Sequence, residues 1–360
     1  MSTRFSISAI PCFDSGMAVH AYRMMTHDGD KLLGAAEDYR MLGAELLAPE
    51  FELVKDLGVE PFAGGHDLFI DLRKFQLLTG IPLSLKIPPD KLVCVIDKET
   101  LTDNAAYARM GVLKRNGYRM ALNGMPEAIS LETAVGFFDF ILLSYTDENF
   151  SQDMKSIRPY IRNITLVITD IPDMTSFTKL AGARSVLFSG DYYSQPITRG
   201  SSDISPLKIN SLNLLSQLND ESFDLMSAAG TIERDPALSI SLLRFLNAMN
   251  PDRRRRIDSI RHAVATLGQI EVRKWATVSI SVGIGEDRPS EITRLSLLRA
   301  KFAENLSAAF DMGGKSGSLF IAGLFSLLDV ILERPMHDAV EEVAAQSEIR
   351  DALVNKTGRI

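Results

Sequence analysis

The 360-residue chain has only two cysteines, Cys12 and Cys94, five histidines and one tryptophan. The two thiols match no close metal-ligand spacing, so neither a disulfide framework nor a zinc module underlies the fold. Long apolar runs are also missing. The most apolar stretch, Leu319 to Leu332, is broken by Ser326 and Asp329, and a membrane span needs roughly 20 apolar residues. The opening MSTRFSISAIPCFDSG reaches Pro11 and Asp14 too early for a secretory apolar region. A reducing, cytoplasmic location without a membrane partner is the expectation. Positive charge is in deficit. Lys plus Arg number 39 against 46 Asp plus Glu, a formal charge of -7, which argues against nucleic acid as the main partner. No internal repeat or low-complexity tract appears, which sets aside solenoids and disordered tails.

What is present is patterned. With 46% hydrophobic residues, the chain has enough apolar side chain for a core in each of two domains, the number its length predicts. Over the first 190 residues short apolar runs recur: Phe5 to Ile10, Leu68 to Ile70, Leu92 to Ile96, Tyr118 to Leu122, Phe140 to Leu143, Ile164 to Ile168 and Ser185 to Phe188. Between them Leu46 to Leu57, Leu101 to Lys114, Leu131 to Phe137 and Asp173 to Leu180 carry helical spacing. Such alternation predicts a parallel sheet covered by helices. Beyond Pro206 the strand signals fade. There Asp235 precedes Pro236 as an N-cap before an apolar face of Leu238, Leu242, Leu246 and Met249. Ser259 caps a second helix with Ile260, Ala263, Val264 and Leu267 on one face, and Gly268 predicts a left-handed stop. The Pro-, Gly- and Ser-rich segment from Gln195 to Pro206 separates the two patterns. The predicted division is a domain at 1–196, a linker at 197–206 and an all-helical domain at 207–360.

Several segments, in order, resemble known signalling modules. His20-Ala21-Tyr22-Arg23-Met24-Met25 is similar to the segment that names the EAL domains, and Phe69-Ile70-Asp71-Leu72 to their F-I-N-L strand end. Lys114 to Leu122 resembles L-K-x-x-G-Y-x-x-A-L, and Gly190 to Pro196 resembles the G-Y-x-F-S-x-P ending. Downstream, Ile232 to Leu238, Leu242 to Asn247 and Ser259 to Gly268 follow the HDOD pattern I-x-x-D-P-x-L, L-L-R-x-x-N and S-I-x-x-A-I-x-x-L-G. Phe320 to Asp329 resembles the F-L-x-G-L-F-S-L-L-D helix of proteins that join the two modules. The resemblance implies an α/β plus all-α chain: a degenerate TIM-like (β/α) barrel of EAL type followed by an all-helical HDOD bundle. At about 196 residues against a usual roughly 250, the barrel is expected to lean on the helical half for a missing wall.

EAL domains hydrolyse cyclic di-GMP with two metal ions. Cations roughly 3.5 to 4 Å apart need acidic ligands around them. The resemblance carries the family's site positions onto Arg23, Asp71, Val95, Asn123, Gly124, Leu142, Ser144, Thr169 and Ser189, of which only Asp71 is acidic. It therefore implies a barrel without hydrolytic activity, metal or cofactor, lacking most of the groups that hold cyclic di-GMP. The expected function is a non-enzymatic bacterial signalling protein acting in motility or biofilm control. The barrel serves as a sensing or docking surface and the HDOD module binds a regulatory protein. Arg244, Asn247, Arg299 and Asp329, polar within apolar helical patterns, are the candidate partner-binding residues. A second copy of the chain stays open as a partner. Two alternatives stand beside this reading: a cyclic di-GMP phosphodiesterase or HD-type phosphohydrolase with a nonstandard metal site, and a nucleic-acid-binding regulator using Arg253 to Arg256.

Three further motifs have plainer accounts. Gly64-Gly65-His66-Asp67 resembles the diguanylate cyclase turn but leads into an apolar strand, so it is read as a turn. His337-Asp338 resembles the HD metal pair, yet Pro335 just before it predicts a helix start. Gly313-Gly314-Lys315-Ser316 has Ala309 where a phosphate loop has its first glycine, and is read as a helix connection.

Overall fold

The apolar runs of the first half become the staves of a barrel. The computed structural model describes residues 5–28, 49–182, 185–195, 224–249 and 259–358 except 286, 287 and 344, together with 211, 212, 215, 216, 218 and 257. The predicted linker at 197–206 and the run Arg253 to Arg256 lie outside the described residues. The chain divides into two compact units, Met1–Tyr193 and Ser194–Ile360.

In the first unit, strands β1 (Phe5–Phe13), β2 (Val19–Asp28), β3 (Asp67–Asp71), β4 (Leu92–Asp97), β5 (Arg119–Asn123), β6 (Phe140–Ser144), β7 (Thr165–Thr169) and β8 (Val186–Phe188) close in sequence order into a barrel. All eight of its strands come from this unit. From β2 to β8 the strands run parallel, but β1 is antiparallel to both neighbours, which corrects the all-parallel expectation. Its cause is the short link to β2: Asp14 Oδ1 accepts hydrogen bonds from the Gly16 and Ala18 N–H groups at 2.8 and 3.0 Å. A turn that tight leaves no room for the crossover that parallel neighbours require. β2 was not read as a strand from its apolar pattern because His20, Arg23, Thr26 and His27 interrupt it.

Period-two alternation sorts each strand into two layers. Cys12, Ala21, Phe69, Val93, Val95, Ala121, Phe140, Leu142 and Val167 form one buried cluster filling the barrel. Leu68, Ile70, Cys94, Met120, Leu122, Ile141, Leu166 and Ile168 belong to a second cluster shared with the surrounding helices. Both faces are dry, which is why these strands read as continuous apolar runs. Phe69 and Phe140 meet edge to face at 4.9 Å inside the barrel.

Closure is the thinnest part. β1 and β8 share one ladder pair, Phe13 with Phe188. Side chains reinforce it: Ser189 Oγ donates to the Pro11 carbonyl at 3.0 Å, and the Phe13 ring packs on Tyr193 and Tyr192 at 5.0 and 6.0 Å. Just past β8 the backbone of Gly190, at φ +148, passes so close to Ile171 that a Cβ would lie 2.4 Å from that residue's N and O.

The second unit is helical throughout its described elements: Leu225–Arg234, Pro236–Met249, Ile260–Ile284, Ser290–Ala309, Ser316–Phe325, Leu328–Leu332, Met336–Glu342 and Ser347–Arg350. The expected caps are in place. Asp235 Oδ1 accepts from the Leu238 N–H at 3.0 Å and Ser259 Oγ from the His262 N–H at 3.4 Å. One expectation needs correction: Met249 is 64% exposed, so the apolar face ends at Leu246. Gly268 leaves helical geometry at positive φ (78) as expected, and a second helix follows it at once, so that Ile260–Ile284 is two helices meeting at a kink. Helix resumes there because Val272, Trp275, Ala276 and Ile280 supply a fresh buried face. Gly323 sets the crossing of Ser316–Phe325 over Ser290–Ala309: a Cβ there would lie 2.5 Å from the Arg299 carbonyl oxygen. As the sequence predicts, His337 sits in the first turn of Met336–Glu342, and Gly313–Lys315 is a 3-10 turn between helices. Gly64 and Gly65 form a positive-φ turn leading into β3. No helix among the described residues is long and apolar enough to cross a membrane.

Gly190→Ala is expected to destabilise the barrel by roughly 1 to 3 kcal/mol through overpacking against Ile171, read as a lower urea midpoint for the barrel's transition. An unchanged midpoint would mean that the seam yields freely.

Candidate functional site

The carboxyl ends of the strands form the mouth where barrels of this kind build their sites. Alternation puts Asp71, Asn123, Ser144 and Thr169, each the last residue of its strand, on the inner face there, with Ser189 just beyond β8. Arg23 joins them from β2, two residues along from the inward Ala21. Val95 and Leu142 lie one layer deeper, 2% and 1% exposed, as part of the dry interior. Gly124 follows β5 at φ +90, where a Cβ would crowd the Lys98 side chain at 3.1 Å.

The mouth is dominated by one ion pair. Arg23 Nη2 donates to Asp71 Oδ1 at 3.0 Å and Oδ2 at 3.1 Å. Burial pushes the Asp71 carboxyl above its ordinary range, Arg23 pulls it back, and the charges of Asp97 and Glu50 push it up again. Those last two acids escaped the sequence reading. Asp97 was legible in principle, since it lies two residues past Val95 and so returns to the inner face. Glu50 had no such signal, because it arrives from the helix Pro49–Leu57.

The other polar groups at the mouth are already engaged. Asn123 Nδ2 donates to Asp97 Oδ1 at 2.9 Å, and the Ser144 and Thr146 hydroxyls meet at 2.9 Å. Thr169 Oγ1 donates to Asp170 at 2.8 Å. Lys98 Nζ donates to Glu127 at 2.5 Å. Burial pushes the thiols of Cys12 and Cys94 up to about 11 and about 12, so neither is a nucleophile near neutral pH.

This donor set does not fit a two-metal centre. Hard divalent cations need several anionic oxygens, whereas here a guanidinium occupies Asp71, the Asn123 amide occupies Asp97, and hydroxyls end β6 and β7. Among the described residues no group of three or more His, Cys, Asp or Glu side chains is placed to hold a metal ion.

In the helical unit the four candidate residues fall into two pairs. Arg299 is exposed and donates to Ser326 Oγ at 3.2 Å. Burial raises the Asp329 carboxyl, while the Val330 N–H and the charges of Lys356 and Arg299 lower it. Arg244 and Asn247 share the helix Pro236–Met249, and among the described residues no hydrogen bond or ion pair joins them to the first pair. Arg244 is exposed. Asn247 is committed within the chain: its Nδ2 donates to the Leu243 and Ile257 carbonyls at 2.8 and 2.9 Å, and its Oδ1 accepts from the Ile257 N–H at 2.9 Å. Its amide fastens the chain beyond the helix.

The fold is thus a closed eight-strand barrel followed by a helical region, and residues 206–357 match the family model of the HDOD domain. The Bacillus subtilis (strain 168) uncharacterized protein YuxH is 24% identical over 98% of this chain and 87% of its own length. The Vibrio cholerae serotype O1 cyclic di-GMP phosphodiesterase CdgJ is 22% identical over 94% of this chain and 78% of its own. EAL structures are among the structural neighbours. The Klebsiella pneumoniae BlrP1 calcium/cy-diGMP complex aligns over 54% of this chain and 58% of its own, with 17% identity and a TM-score of 0.39. The FimX EAL domain from Pseudomonas aeruginosa bound to c-di-GMP aligns over 53% and 90%, with 15% identity and a TM-score of 0.37.

Two outcomes are expected. Because its folded pKa is raised, Asp71 holds its proton more tightly in the folded protein. Its contribution to stability is full below the unfolded pKa and is lost as pH rises through the folded value. Arg23→Gln removes the pull of the cation and moves the Asp71 titration further up, as read by carboxyl-carbon NMR; a downward move contradicts the assignment. Asn247→Ala should cost the helical unit about 1 to 3 kcal/mol through the orphaned Ile257 groups, seen in thermal denaturation followed by circular dichroism.

Proposed function

We propose that the chain is a non-hydrolytic signalling protein in which the barrel is a sensing or docking body and the HDOD region contacts a regulatory protein. The observation that carries this reading is Arg23 lying across Asp71, a fixed cation against the one acid kept at the family's site positions. A positive charge there stands in for part of what metal ions would supply, yet it brings no exchangeable water and generates no hydroxide. Arg244 and Arg299 are the exposed cations through which the helical unit makes its contact, with Asn247 fastening the chain at Ile257 to the helix that carries Arg244. By the same resemblance, the setting is a bacterial cytoplasm and the output is motility or biofilm control.

The printed name of the Vibrio cholerae relative favours the competing reading, a cyclic di-GMP phosphodiesterase. It would need a displaced metal site built around Asp71, Asp97 and Glu50.

The purified chain, supplied with magnesium or manganese, is expected to give no turnover of cyclic di-GMP. Turnover that disappears in Asp71→Ala would establish the competing reading instead. Arg244→Ala is expected to weaken partner capture in a pull-down from the native cell without changing the circular dichroism; undiminished capture would move the contact elsewhere.

A further inference from the structure

At the end of the barrel opposite the mouth, a groove of about 830 Å³ opens where the chain enters β7 and β8. Among the described residues four cations line it: Lys155 from the last turn of Phe150–Ile157, Arg158 from the 3-10 turn that follows, Arg162 ahead of β7, and Lys179 from the last turn of Met174–Leu180. Among the described residues no acidic side chain lines it. All four cations are exposed, and among the described residues none forms an ion pair. Elsewhere in this unit Lys74, Lys114 and Arg119 each lie against a carboxylate.

Three of the four have an ordinary explanation, since the helix dipole favours a cation at a helix C-terminus: Lys155 and Lys179 lie in last turns, and Arg158 is the C-cap of Phe150–Ile157. Arg162 lies beyond these ends and has no such explanation. Four like charges facing one concavity repel one another, and in a chain of net charge -7 acidic partners were plentiful. The arrangement is relieved by an anion with several charges. A convex membrane-facing ridge or a long nucleic-acid track would spread its cations out, whereas these converge on a groove within the roughly 300 to 1,000 Å³ of small-ligand sites. Met154, Ile161 and Leu180 add an apolar floor.

We propose that this groove binds a nucleoside polyphosphate, its phosphates held by Lys155, Arg158, Arg162 and Lys179 and its base laid on Met154, Ile161 and Leu180. Guanidinium groups bind phosphate oxygens in pairs, so Arg158 and Arg162 supply most of the specificity. The site is separate from the mouth and does not depend on whether the mouth hydrolyses anything.

The test is calorimetric titration of the full chain with ATP and with inorganic pyrophosphate. Both are expected to bind saturably, ATP more tightly, with affinity falling as salt rises. The double charge reversal Arg158→Glu with Arg162→Glu should weaken both by at least about tenfold, while Arg158→Lys with Arg162→Lys keeps part of the affinity. Lys55→Glu, an equal type of charge change on an exposed lysine of Pro49–Leu57, should leave binding unchanged. Circular dichroism checks that each variant is folded. The proposal is overturned if neither probe binds at millimolar concentration, or if the double reversal binds as well as the parent. It is equally overturned if the chain binds only anionic phospholipid vesicles or only single-stranded RNA.

Discussion

The barrel depends on how the two ends of β3 are held. Its inward residues are Asp67, Phe69 and Asp71, an acid at each end with an aromatic ring between them. Arg119 on β5 closes one end with Nη1 and Nη2 to the two Asp67 oxygens at 2.6 and 2.7 Å, and Arg23 on β2 closes the other. Phe69 against Phe140 occupies the middle. Both pairs keep some contact with water, which spares them the full cost of a buried ion pair. The dry cluster between them is therefore sealed by polar plugs, and no polar group has to sit inside it.

That arrangement explains why the mouth has the chemistry it has. Arg23 is part of the seal, so its charge cannot be exchanged for an acid without leaving Asp71, Asp97 and Glu50 crowded together. The hydroxyls of Ser144, Thr169 and Ser189 are turned onto nearby groups of the chain. A surface whose ion pair is fixed and whose hydroxyls are engaged by the chain presents a constant shape.

Much of this fold was written in local pattern. Leu131–Phe137 begins and ends where its spacing says, and Ser130 caps it by accepting from the Thr133 N–H at 3.1 Å. Strands dry on both faces announced themselves as apolar runs. β2 did not, since its inward Arg23 belongs to a pairing made across the sheet, 48 residues away in the chain. The mouth positions were legible one at a time, through motifs that keep register with the strands. What they face was not: Glu50 comes from a separate helix, and the bonds from Asn247 to Ile257 join two residues that no periodicity relates. The dispersed cations of the opposite groove were equally silent, because Lys155 and Lys179 meet only when two helices end side by side.

The seam between β1 and β8 has a mechanical meaning. The polypeptide leaves the barrel just after β8, at the single ladder pair that closes it, and continues at Ser194 into the second unit. Tension carried along the chain from that side reaches β8 before any other strand. Resistance there comes from the Ser189 hydroxyl, the Phe13 and Tyr192 rings and the tight passage of Gly190 past Ile171, not from a long ladder of backbone bonds. The barrel is thus a vessel whose latch sits at its tether, and a load on the tether is a load on the latch.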